Sequence, residues 1–178
     1  MAKKAKKPTK KPAKKAAKKA VKKAAPKKAI KPAPKAAKKA ADPSSNMGPK
    51  PKHGEFMWNE LMTRDDEKAL SFFENLLGWT HEDWPMGPEG TYRIAKTGEK
   101  SAAGIMKMNE PQFPPQVPTH WCGYIAVRDV DASAAKIKEL GGELVHGPED
   151  IPQVGRFCIF KDPTGAVCAL MTPVGGVG

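Results

Sequence analysis

The chain has 178 residues and a formal net charge of +12 that is very unevenly spread. Met1 to Lys52 holds 20 of the 31 basic residues and one acid, Asp42, for a net of +19; the remainder carries 18 acids and 11 bases, a net of −7. No apolar run suits a signal peptide or a membrane span, and a tail this poor in Arg and Ser is not a transit peptide, so the expected compartment is the cytoplasm.

Lys, Ala and Pro dominate the first 40 residues, and no aromatic residue precedes Phe56. Such a segment cannot bury enough apolar surface to offset the entropy of ordering it, and its prolines interrupt helix every few residues. Residues 1–52 therefore read as a disordered basic tail and linker. Ammonium groups without stacking partners neutralise phosphates but do not read bases. Lys3, Lys4, Lys6, Lys7, Lys10, Lys11, Lys14, Lys15, Lys18, Lys19, Lys22, Lys23, Lys27 and Lys28 are the candidate contacts to DNA or another polyanion, with nucleoid association as the corollary. The composition resembles the Lys, Ala and Pro tails of linker histones and of some bacterial nucleoid proteins.

The Pro, Ser and Gly linker "ADPSSNMGPKPKHG" leads into a globular part over residues 53–174. A shift of 64 residues lays "WNELMTRDDEKALSFFENLLGW" over "CGYIAVRDVDASAAKIKELGGE", matching Arg64 to Arg128, Asp65 to Asp129, Leu76 to Leu140 and Gly78 to Gly142. Each copy opens on a strand-like run, Phe56 to Thr63 and Trp121 to Arg128. Asp65 and Asp129 are placed to cap helices, which stop at Gly78 and at Gly141 and Gly142. Three short strands follow each helix. The reading is α+β, two βαβββ modules at about 55–110 and 119–173, joined by "NEPQFPPQVPTH". Cys122, Cys158 and Cys168, an odd number within apolar runs, read as reduced buried thiols.

This order, with "RDDEKALSFFENLLGW" and the closing "FKDPTGAVCALMTP", resembles the vicinal oxygen chelate superfamily of glyoxalase, bleomycin-resistance and extradiol dioxygenase proteins. The resemblance implies mixed sheets curled around a shared cavity, with metal ligands, where present, on the first and last strand of each module. Those four positions map to Trp58, Ile105, Cys122 and Ala169. Trp, Ile and Ala cannot ligate a metal, so no cofactor is expected, and a divalent ion held by His120, Cys122 and Glu60 is disfavoured.

Strand alternation then makes Trp58, Glu60, Met62, Ile105, Lys107, Cys122, Tyr124, Ala169 and Met171 the candidate lining of a ligand cavity. Glu60, between Trp58 and Met62, is the candidate general base or the fixed charge for a cationic ligand; the alternatives are a bond to Tyr124 or a pair with Lys107. His81 reads as a residue of a strand followed by a surface loop, and His146 as the end of a strand before the Pro and Gly loop "GPEDIPQVGR", which the resemblance implies runs near the cavity mouth. Three functions remain open: a metal-free small-molecule-binding protein tethered to nucleic acid by its tail; a glyoxalase-like lyase, isomerase or dioxygenase with a divergent metal site; and a nucleoid-associated structural protein. A homodimer is the expected assembly.

Overall fold

The computed structural model describes residues 50–178, so the tail and its candidate lysines lie outside the described residues. The first module runs β1 (Phe56–Thr63), α1 (Asp66–Leu77), β2 (Thr80–Pro85), β3 (Thr91–Thr97) and β4 (Lys100–Lys107). The second runs β5 (His120–Ala126), α2 (Val130–Glu139), β6 (Glu143–Ile151), β7 (Gly155–Lys161) and β8 (Val167–Pro173). This is the βαβββ repeat expected, except that β6 extends through His146 to Ile151, where the sequence reads as a Pro and Gly loop. Its pairing with β7 takes up the irregular stretch in two register shifts.

Both helices start where the caps predict. Asp65 accepts from the Lys68 amide at 3.0 Å and Asp129 from the Ala132 amide at 2.9 Å, satisfying N–H groups that the helix itself leaves unpaired. Gly78 closes α1 in the left-handed region at φ 67°, and Gly141 follows α2 at φ 83°. The "DPTG" turn is held by Asp162 Oδ1, which accepts from the Thr164 and Ala166 amides and the Thr164 hydroxyl.

All eight strands form one sheet in the order β2-β3-β4-β1-β5-β8-β7-β6. The modules join antiparallel through β1 and β5, so the shared sheet is made within one chain. Asn59 pairs with Gly123, its own counterpart under the 64-residue shift, which puts a pseudo-twofold axis through that pair. A matching Arg clamp appears on each side. Arg93 on β3 meets Glu67 of α1 and Asp83 of β2, and Arg156 on β7 meets Asp131 of α2 and Asp150 of β6.

Apolar side chains sort to the two faces of the sheet by strand alternation. On the helix face Leu61, Leu70, Ala95 and Ile105 pack under α1, and Val127, Val130, Ala134, Ile137, Cys158 and Leu170 pack around α2. The opposite face gathers Met62, Met108, Cys122, Tyr124, Ala169 and Met171. Among the described residues no helix is long and apolar enough to cross a membrane.

Candidate ligand site on the helix-free face

The seam between β1 and β5 places Glu60 beside Cys122 and Trp58 beside Tyr124 in the strand register. Glu60 is 5% exposed, and its Oε2 accepts a hydrogen bond from the Tyr124 hydroxyl at 2.9 Å. Tyr92 of β3 brings its hydroxyl close enough to lower the pKa of the same carboxylate, and its oxygen accepts from Trp58 Nε1 at 2.9 Å. The indole and its bonded phenol thus stand beside the carboxylate, and a second phenol bonds it from the other module.

Burial raises the pKa of Glu60 above its ordinary value, opposed by the two tyrosine hydrogen bonds and the charge of His120. Burial, and then the negative charge of Glu60, push both tyrosines well above their usual range and keep them neutral donors. Burial likewise pushes the Cys122 thiol up to about 12, reinforced by Glu60, so Cys122 is a protonated packing residue at neutral pH.

Trp58, Glu60, Met62, Cys122, Tyr124, Ala169 and Met171 thus share the helix-free face, as the alternation of β1, β5 and β8 predicts. Ile105 and Lys107 do not. Ile105 is fully buried under α1, and Lys107 pairs with Asp66 on the helix side at 3.2 Å; of the two alternatives for Glu60, the bond to Tyr124 forms and the pair with Lys107 does not. The cause is one residue of register. Glu60 pairs with Gly104 but its counterpart Tyr124 pairs with Ala169, so the second module is one residue longer between its first and last strands. A one-residue slip exchanges the two faces of a strand. Gly104 and Met106 are the residues of β4 that face the site; Met106 packs against its apolar cluster.

Tyr92 escaped the sequence reading because it lies on an inner strand of its module. Its signal is spatial: a Cβ on Gly104 would stand 1.7 Å from the Tyr92 hydroxyl oxygen, so the phenol reaches Glu60 only because position 104 has no side chain. Phe157 of β7 joins the same face, 6.4 Å from Tyr124 between ring centroids, and His146 packs on Phe157 at 5.6 Å. His120 Nδ1 bonds the Pro118 carbonyl at 2.8 Å, and His81 lies with Glu74 on the exterior. Trp121 points to the helix side against Phe73, as the pleat requires. The inter-module linker crosses the apolar cluster with Phe113 and Val117, and Arg64 holds it through the carbonyls of Met108, Phe113, Pro114 and Val117.

Residues 55–170 match the Glyoxalase/Bleomycin resistance protein/Dioxygenase superfamily. The chain belongs to this superfamily. It is 42% identical over 120 residues to a Mycobacterium tuberculosis protein named "Putative glyoxylase CFP32", covering 67% of this chain and 44% of that protein. It is 27% identical over 123 residues to the anthracycline biosynthesis protein DauV of Streptomyces sp. strain C5, covering 64% of this chain and 45% of that protein. The chain thus spans about half the length of these curated relatives. Among solved structures, a variant of Streptomyces coelicolor methylmalonyl-CoA epimerase aligns with a TM-score of 0.51 at 15% identity over 71% of this chain and 99% of its own, a likeness of fold.

With the register corrected, the four superfamily ligand positions hold Trp58, Gly104, Cys122 and Ala169. One protonated thiol among three side chains without donor atoms does not fit a divalent ion. Among the described residues no group of three or more His, Cys, Asp or Glu side chains is placed to hold one. The volume beside Gly104 is filled by the Tyr92 phenol.

Proposed function

We propose that the helix-free face binds a small organic ligand without a metal ion, and that the basic tail tethers this binding domain to DNA or another polyanion. The observation that carries the ligand reading is the Glu60 carboxylate, buried and bonded by the Tyr124 hydroxyl, with the Tyr92 hydroxyl near it, within a mostly apolar surround. An apolar concavity with a few convergent polar groups is the usual form of a small-molecule site. Trp58, Met62, Cys122, Ala169 and Met171 supply the apolar surface and Glu60 with its phenols the orienting polar groups. Thermal-shift screening tests this: a ligand should raise the melting temperature of the native chain and lose that effect in Glu60→Gln and Trp58→Ala. Equal shifts in all three proteins would refute the assignment.

The tail reading rests on charge, a net of +19 over Met1 to Lys52 beside a −7 domain that polyanions repel.

A second reading makes the protein a lyase or isomerase, with Glu60 taking a proton from bound substrate. Its support is the burial that raises the affinity of Glu60 for a proton. Under this reading Glu60→Gln abolishes turnover while ligand binding persists.

A further inference from the structure

We infer that the ligand of this site is an organic cation, an alkylammonium group seated against Glu60 and the aromatic faces around it. The inference rests on the ligand-binding reading above and specifies the class of guest.

Buried charges are ordinarily paired, because removing an ion from water costs several kcal/mol in the absence of a compensating charge. Glu60 is 5% exposed, yet among the described residues no Lys or Arg forms an ion pair with it. The cations near this sheet are committed elsewhere. Arg93 and Lys107 meet Asp66 on the helix side, Arg156 meets Asp131 and Asp150, and the Arg64 guanidinium is spent on linker carbonyls. What faces Glu60 is the hydroxyls of Tyr92 and Tyr124, the thiol of Cys122 and, at longer range, His120. The hydrogen bond of the carboxylate is thus supplied by a neutral donor, and among the described residues His120, at longer range, is the one cationic group that acts on its charge.

The walls suit the same guest. Trp58, Tyr92, Tyr124 and Phe157 carry aromatic rings on this face, with Tyr92 fixed by Trp58 and Tyr124 set 6.4 Å from Phe157. Ring faces attract a positive charge, most strongly in Trp and Tyr and most effectively where water is excluded. A carboxylate within such walls offers an alkylammonium group both a counter-charge and apolar contact for its methyl or methylene groups. An anionic guest would meet Glu60 with no Lys or Arg paired to it among the described residues.

Titration calorimetry of the full chain at fixed ionic strength, with choline and its neutral isostere 3,3-dimethylbutan-1-ol as probes, tests the proposal. Choline should bind roughly tenfold or more tightly than the alcohol, Glu60→Gln should bring the two together, and Trp58→Phe should weaken choline a few-fold. Near-ultraviolet circular dichroism of each variant checks that the site is folded. Equal affinities for the two probes, choline binding unchanged in folded Glu60→Gln, or no binding of choline would each overturn the proposal. If a neutral or anionic compound instead gives a thermal shift that depends on Glu60 and Trp58, the ligand-binding reading stands while the cation assignment fails. If no compound does, the ligand-binding reading itself fails.

Discussion

The hydroxyl of Tyr124 donates to Oε2 of Glu60 at 2.9 Å, joining two residues that are counterparts under the 64-residue repeat. The bond lies one residue from the Asn59–Gly123 pair on the pseudo-twofold axis, so the duplicated position is used once as acceptor and once as donor. Divergence of two equivalent positions into complementary roles gives the Glu60 carboxylate a hydrogen bond from the other module. Tyr124→Phe removes it and leaves a buried carboxylate with one donor fewer, at a cost of about 1–3 kcal/mol in denaturant unfolding. An unchanged midpoint would show that water replaces the phenol.

Glu60 also sets a pH dependence. Its folded pKa lies above the ordinary value of 4.5, so between those two values the folded state holds a proton that the unfolded state has released. The unfolded chain binds fewer protons there, and stability from this group declines as pH rises from 4.5 through the folded value. Relative to Glu60→Gln, the native protein should lose stability across that window. Parallel pH profiles for the two proteins would contradict the buried charge.

Gly104 should accept no side chain. A Cβ at 1.7 Å from the Tyr92 oxygen forces the phenol off Glu60, and overpacking of this kind costs about 1–3 kcal/mol. Gly104→Ala should lower stability and change Trp58 emission, because Trp58 Nε1 donates to the displaced hydroxyl. Native stability with native emission would mean that Tyr92 has room the structure does not show.

Much of this was legible in the sequence, and the failures have one cause. The Asp caps at Asp65 and Asp129, the terminating glycines and the alternation of β1 and β5 are local signals, and they placed Trp58, Glu60, Met62, Cys122 and Tyr124 on one face. Ile105 and Lys107 lie on the helix side, against the facing the repeat implies for β4, because the repeat slips by one residue between first and last strands. A shift of 65 would have laid Met106 over Met171, both of which pack on the site's apolar cluster. Tyr92 is not legible because no pattern within β3 reports that Gly104, which pairs with Ile94 on the neighbouring strand, leaves room for the phenol two residues away.

Arg64 fixes the linker by bonding only backbone carbonyls, so its contribution depends on the planar fork of the guanidinium. Arg64→Lys should preserve the fold while raising amide hydrogen exchange at Phe113 and Val117, whose N–H groups bond Asn109 and Pro114. Native protection at both amides would show that apolar packing alone holds the segment.

Deleting residues 1–52 should abolish binding to duplex DNA in a mobility-shift assay. In the full chain, the logarithm of affinity should fall linearly with the logarithm of salt concentration, by roughly 0.9 for each phosphate neutralised. Unchanged binding after deletion would move the contact into the acidic domain.

The central proposal is that the Glu60 carboxylate, bonded by Tyr124, serves a ligand site that works without a metal ion. Metal analysis of the purified full chain after dialysis without chelator tests it most directly. The account predicts Zn, Ni, Mn and Fe far below one equivalent, with a melting temperature that does not respond to added divalent ions. One retained equivalent of any of them, lost together with stability in Cys122→Ala or Glu60→Gln, would contradict it.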